Sequence, residues 1–199
     1  QALGRRLGDF CQRMGVLWIK VGQLLASRSD LFPRELCAVL ARLQDRAEGF
    51  DPDTARRIIR RQLGLPLERV FSRFQDAPWA AASIAQVHKA YLRRERVWVA
   101  VKVRRPGVDR VFAKDMALIR LLVGMLIRLS VMPAMRGGDM LWELQQVFTE
   151  ELDYRYEVAN QKRLRKSLAR HQVTVPRVYE RYCTQDVIVM AFVDAVSMS

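Results

Sequence analysis

The sequence predicts a mixed α+β fold built on an antiparallel sheet, and three observations carry the prediction. The first 76 residues read as helix. Two short β-branched runs, IAQVHKAYL (84–92) and VWVAVKV (97–103), are then joined by RRER and read as a hairpin. Two long helical stretches follow, about 108–132 and 139–169, before the chain closes with two strand-like runs, PRVYERYC and DVIVMAFV. Helices, a hairpin, long helices and two more strands make α+β the natural class.

In residues 2–18, Leu3, Leu7, Phe10, Met14 and Leu17 alternate with Arg5, Arg6 and Arg13, an amphipathic pattern. WIKVGQLLASRSDLFP (18–33) continues as helix and breaks at Asp30–Pro33, because the residue before a proline is pushed away from helical angles. Through its apolar residues runs a narrow polar line, Lys20, Gln23 and Ser27, on one helical edge. Gly22 sits among them and weakens the helix by about 1 kcal/mol relative to Ala. In DPDTARRIIRRQLG (51–64), Asp53 is the expected N-cap and Gly64 the C-terminal stop. The most membrane-like stretch, MALIRLLVGMLIRLSVMP (116–133), is interrupted by Arg120 and Arg128. A spanning helix needs roughly 20 apolar residues with few charges, so this one reads as amphipathic, packed on a neighbour or lying on a membrane surface. Pro133–Gly138 separates it from the next helix.

The 199 residues are half hydrophobic, which argues against disorder and allows one domain or two small ones. A net charge of +13, from 34 Lys and Arg against 21 Asp and Glu, favours anionic partners: nucleotide phosphates, acidic lipid headgroups or nucleic acid. Three widely spaced cysteines and two histidines suggest neither a disulfide framework nor a His-based metal site. No RNA-binding aromatic signature or helix-turn-helix accompanies the charge, and a nucleic-acid partner is not expected. With Gln first and no winding-down tail, the chain reads as a piece of a longer protein.

Period two in VWVAVKV places four valines on one face and Trp98, Ala100 and Lys102 on the other. A lysine centred in so apolar a strand is costly to bury unless an anion meets it; the alternative is a half-wet sheet face. Upstream, PWAAASIAQV (78–87) sets small residues before a strand, where a phosphate-cradling loop would carry glycines at positive φ that alanine disfavours; the alternative is a helix start or a tight packing site. Downstream, TEELDYRYEVAN (149–160) places Glu150, Asp153 and Glu157 on one helical face, with Glu151 well round from Asp153. Either this is a solvated face balanced by Arg155 and Arg163, or one carboxylate meets Lys102 and others await Lys20.

These residues resemble the UbiB/AarF-type atypical kinases, a family linked to ubiquinone biosynthesis. KVGQ (20–23), followed by SRSDLFP, resembles its KxGQ signature; AAAS (80–83) with IAQVH resembles its alanine-rich loop. VAVK (99–102) with RRPGV resembles the kinase strand lysine, and ELD (151–153) the ExD motif, with Glu157 at the position of the helix αC glutamate. The match runs from about residue 5 to 195, with five motifs in order.

The resemblance implies a kinase-like N-lobe over 77–199, preceded by a helical KxGQ extension over 1–76 that folds across the nucleotide cleft. It implies ATP or ADP with Mg as cofactor. Lys102 would hold the α/β-phosphates, oriented by Glu157, with Ala80, Ala81, Ala82 and Ser83 over the phosphates. Met190 and Phe192 would lie on the base side. Lys20, Gly22 and Gln23 would line the cleft, with Glu151 and Asp153 holding Lys20 or assisting metal–nucleotide geometry. The metal ligands are expected in a C-lobe absent from this chain, so the piece alone is expected to be inactive. Ala191 and Ala195 stand where the family usually carries an acid and then a glycine. The implied function is an ATP-dependent kinase or ATPase supporting quinone biosynthesis, with a lipid or quinone-precursor substrate or quinone-biosynthesis proteins as partners. It would sit peripherally on the cytoplasmic side of an anionic membrane, the bacterial inner membrane first; the alternative is a non-catalytic nucleotide-sensing scaffold.

Overall fold

A computed structural model describes residues 2–14, 16–27, 33–41, 49–82, 84–130, 133–171 and 173–194. These fall into two compact units. One comprises Gln1–Glu48, Ala82–Ile84 and Asp109–Gln145; the other comprises Gly49–Ala81, Ala85–Val108 and Gln146–Ser199.

The first unit is helical: α1 (Ala2–Met14), α2 (Val16–Ser27), α3 (Arg34–Leu40), α6 (Val108–Arg128) and the beginning of α7 (Ala134–Leu152). The apolar side of α1 and α2 buries Cys11, Trp18, Ile19 and Val21, with Cys37 and Leu40 supplied by α3. The Phe10 and Trp18 rings meet edge-on at 5.3 Å. Helix α6 buries Phe112, Ile119 and Val123, and α7 packs closely against it at Gly137. A Cβ on Gly137 would lie 2.8 Å from Ile127 Cδ1 and 2.9 Å from Val123 Cγ1, so any larger residue would make those side chains shift. The Pro133–Gly138 break is thus shorter than the sequence predicts: α7 begins at Ala134, and both glycines lie inside it.

The second unit is a five-stranded antiparallel sheet with helices on it. Its elements are α4 (Pro52–Leu63), α5 (Leu67–Val70), β1 (Phe71–Phe74), β2 (Ala80–Ala81), β3 (Ala85–Leu92), β4 (Val97–Arg104), α8 (Tyr154–Ser167) and β5 (Val187–Ala191). The β3–β4 hairpin forms with the expected turn, pairing Leu92 with Val97. Strands β1 and β2 both pair with β3, β1 along its Ala90–Leu92 end and β2 along Gln86–Val87. On the other side β5 pairs with β4.

The register gives the sheet two chemically different faces. Val99, Val101 and Val103 are fully buried with Ala90, Leu92, Val187 and Val189, and Ile58, Ile59, Leu67 and Val70 of α4 and α5 join this core. The opposite face carries Val87 and Lys89 on β3, Trp98, Ala100 and Lys102 on β4, and Ile188 and Met190 on β5.

Four further sequence-based expectations differ from the structure. The cap of α4 is Asp51, whose Oδ2 accepts from Thr54 N at 2.9 Å, rather than Asp53. Pro52 lacks an N–H and suits the first helical position, so the cap must precede it; Gly64 does end the helix, at φ +66°. FSRF (71–74) is strand rather than helix, because a register shift between Phe71 and Arg73 sets phenylalanines three apart against one core. The run 139–169 is two helices broken at Asp153. PRVYERYC yields only a bridge from Val178 to Met190 and a 3-10 turn over Glu180–Tyr182, closed by Tyr182 N donating to Tyr179 O.

Candidate functional site

Lys102 projects from the middle of β4 on the face opposite the valine core, between Val87 of β3 and Ile188 of β5. Its Nζ donates to Glu157 Oε2 at 2.7 Å, and the ammonium also stands 4.8 Å from the centre of the Tyr154 ring. Lys102 is 25% exposed and Glu157 39%, so the pair is open to an incoming anion rather than sealed inside. An ammonium has three donors, and one carboxylate leaves it N–H capacity for further acceptors.

Glu157 reaches Lys102 because α8 starts where it does. Asp153 caps the helix, its carboxylate accepting from Arg155 N at 3.0 Å and pairing with the Arg155 guanidinium at 2.6 Å. Those hydrogen bonds hold the Asp153 carboxyl below its ordinary range. Tyr154 N donates to Gln185 O at 3.1 Å, just ahead of β5. Arg104, at the end of β4, donates to Leu152 O at 2.6 Å and pairs with Asp186 at 2.5 Å. Gln62 Nε2 also donates to Asp186. The bend between α7 and α8 is therefore anchored to the end of β4 and to the residues just ahead of β5, and Glu157 sits one turn beyond it.

The expected alignment of Glu150, Asp153 and Glu157 along one helix does not occur, because Asp153 lies at the break and turns to Arg155. Glu151 belongs to the last turn of α7, across the break from Glu157. Ala80 and Ala81 form β2, with Ala80 opposite Val87 in the same cross-strand row as Lys102. Ala82 follows β2, and Ser83 lies outside the described residues. Met190 is opposite Ala100 in the next row, and Phe192 follows β5 with its N–H donating to Trp98 O at 3.1 Å. Ala191 is on the core-face register of β5; Ala195 lies outside the described residues. In the helical unit, Gly22 is buried and Gln23 half-buried on α2, while the Lys20 side chain lies outside the described residues.

Sequence reading missed Arg104, Tyr154 and Asp186, whose only signal was a base and an acid flanking apolar strands. It also missed the buried polar chain behind the strand. Phe50 N donates to Gln86 Oε1 at 2.7 Å, Gln86 Nε2 lies 2.9 Å from His88 Nε2, and His88 Nδ1 lies 2.9 Å from Gln75 O. These contacts are all satisfied by a neutral imidazole protonated at Nδ1, and burial pushes His88 below its ordinary value.

A strand lysine ion-paired with a helix glutamate, on an antiparallel sheet edged by a short alanine strand, is the arrangement of a kinase-like N-lobe. Residues 42–199 match the ABC1 atypical kinase-like domain, and the chain belongs to that family. Among its curated relatives, the probable protein kinase UbiB of Tolumonas auensis is 36% identical over 200 residues, covering 100% of this chain and 37% of the relative. Its counterpart in Glaesserella parasuis serovar 5 is 39% identical over 196 residues, covering 96% and 36%. The chain thus spans little more than a third of the length of these relatives. A solved Mycobacterium tuberculosis structure, that of the Rv3197–erythromycin complex, superposes with a TM-score of 0.65 at 32% identity, covering 88% of this chain and 44% of that one.

Proposed function

We propose that this chain is the nucleotide-binding part of an ATP-dependent kinase or ATPase that supports isoprenoid-quinone biosynthesis. The observation that carries the reading is the Lys102–Glu157 contact at 2.7 Å on an accessible sheet face. Beside that ammonium lie small Ala100 and apolar Val87 and Met190, a donor next to a flat apolar floor, which suits a polyphosphate joined to a planar base.

Bound Mg·ATP would supply a transferable phosphoryl group. Lys102 then offers its N–H donors to the α/β-phosphate oxygens, and Glu157 fixes the ammonium so that little reorientation accompanies binding. Tyr154 supports the cation from below. Ala80 and Ala81 line the phosphate side, and Met190 and Phe192 the base side. We extend the proposal to Glu151 and Asp153, beside the α7–α8 bend, as residues that assist metal–nucleotide geometry. Metal coordination and complete turnover belong, in this proposal, to the full-length protein.

Peripheral contact with the cytoplasmic face of an anionic membrane, where a quinone precursor would be met, belongs to the same proposal. No described helix is long and apolar enough to cross a membrane. The basic composition and an exposed apolar stripe on α6 support contact from the surface.

The test is Mg·ATP binding and turnover by the full-length protein. Lys102→Ala is expected to weaken binding by at least about tenfold, the effect of losing one charge-assisted phosphate contact. Wild type that neither binds nor hydrolyses Mg·ATP, and is indistinguishable from Lys102→Ala, overturns the reading. Binding without turnover favours a nucleotide-sensing scaffold.

A further inference from the structure

We propose that Lys89, Trp79, Trp98 and Phe192 form a latch that ties the alanine segment to the strand edge and sets how fast nucleotide enters and leaves. The proposal rests on the nucleotide reading above. Lys89 is on β3 opposite Ala100, on the Lys102 face and one cross-strand row away from it. Its Nζ lies 4.1 Å from the centre of the Phe192 ring, 5.2 Å from Trp98 and 5.3 Å from Trp79. Trp79 and Phe192 also meet edge-on at 5.2 Å and 86°. A cation within about 6 Å of a ring centre is attracted by the ring's quadrupole, and here one ammonium serves three rings at once.

The three rings come from three places in the chain. Trp79 immediately precedes β2, Trp98 is in β4, and Phe192 immediately follows β5. Strand β2 has only two residues, paired with Gln86 and Val87, and so short an edge strand has little stability of its own. Its stem also carries the bond from Trp79 N to Val87 O at 2.7 Å. Trp79 is 58% exposed, so burial does not fix its ring; Lys89 and Phe192 do. Because Ala80 stands in the cross-strand row of Lys102, whatever loosens the Trp79 stem loosens the segment beside the proposed phosphate site. The tie is electrostatic and aromatic, and removing the charge of Lys89 undoes it without removing side-chain bulk.

The experiment compares full-length wild type with Lys89→Met, Lys89→Arg and Trp79→Ala. Amide hydrogen exchange over residues 79–82 is read beside dissociation of a fluorescent ATP analogue in stopped flow. Lys89→Met and Trp79→Ala are expected to accelerate exchange in that segment by about tenfold, as local opening becomes easier, and to speed analogue release several-fold. Lys89→Arg, which keeps a cation able to stack, is expected to return both to wild-type values. Wild type that binds the analogue while Lys89→Met exchanges and releases like it overturns the latch alone. Wild type that binds no analogue, with Lys102→Ala no different, overturns the nucleotide reading and the latch's role with it.

Discussion

His88 and Gln86 show how single residues make the sheet's core face carry hydrogen bonds as well as apolar contact. Both are fully buried on β3, in register positions otherwise filled by Ala90 and Leu92. Burial without partners would be destabilising, and the chain Phe50–Gln86–His88–Gln75 meets that need. The arrangement is pH-sensitive with a definite sign. Burial, the largest influence, pushes His88 below its ordinary 6.5, so from there downward the unfolded chain takes up a proton that the folded one refuses. Stability is therefore complete above pH 6.5 and declines as pH falls from 6.5 toward the depressed folded value. Thermal melts are expected to show a falling midpoint from pH 7.5 to 5.5. That decline should be smaller in His88→Leu, whose overall stability also drops because Gln75 O and Gln86 Nε2 lose their partner. A His88→Leu protein with an undiminished pH slope would refute the assignment. Period two revealed which strand residues share a face, but not that a glutamine and a histidine on the core side would find partners 13 and 36 residues away.

Among elements, the decisive one is α8, and its position is set by bonds to the sheet rather than by its own sequence. Leu152–Asp153–Tyr154 contains no glycine or proline, so the helical pattern runs through it unbroken; the break arises from Arg104 at Leu152 O, Gln185 O at Tyr154 N, and the Asp153 cap. Tertiary bonds of this kind leave no periodic trace. The hairpin was legible because its alternation coincides with burial, and the α4 stop because Gly64 must adopt positive φ. The phenylalanines of β1 are spaced like a helical face and needed the bulge to be understood. Lys102 was legible as a cation lacking a partner; Glu157 required the resemblance, since two other acids shared its apparent face. Arg104 and Asp186, about 10% and 11% exposed, form the buried pair that holds this junction. Arg104→Met is expected to destabilise the protein by roughly 3–5 kcal/mol, because it leaves Asp186 charged, buried and short of its main partner. Adding Asp186→Asn should recover part of that loss and would show in chemical denaturation as non-additivity. The single substitution should also weaken nucleotide binding, because α8 carries Glu157. Full stability in Arg104→Met would show that the junction is held elsewhere.

At the scale of the whole molecule, the question is what the basic field and the apolar surface do together. Helix α6 buries Phe112, Ile119 and Val123 on one side, while Val111, Leu118, Leu121 and Met125 at its other side, and Leu129 just after its end, are exposed, Leu121 by 69%. At 100° per residue these five fall within a narrow arc, with Lys114 inside it and Arg110 and Arg128 at its margin. An apolar stripe edged by cations is the pattern of a helix lying in a lipid headgroup layer, where apolar burial and attraction to anionic lipid reinforce each other. The full-length protein is expected to float with vesicles containing anionic lipid, to float less with zwitterionic ones, and to lose attachment as salt rises. Leu121→Glu with Met125→Glu places two negative charges on the stripe without touching the buried side, so folding should persist while flotation is lost. If the double variant floats like wild type, membrane contact lies on another surface. If wild type stays at the bottom of the gradient with anionic lipid, the stripe serves another purpose, and any quinone-precursor substrate must reach the protein away from a bilayer.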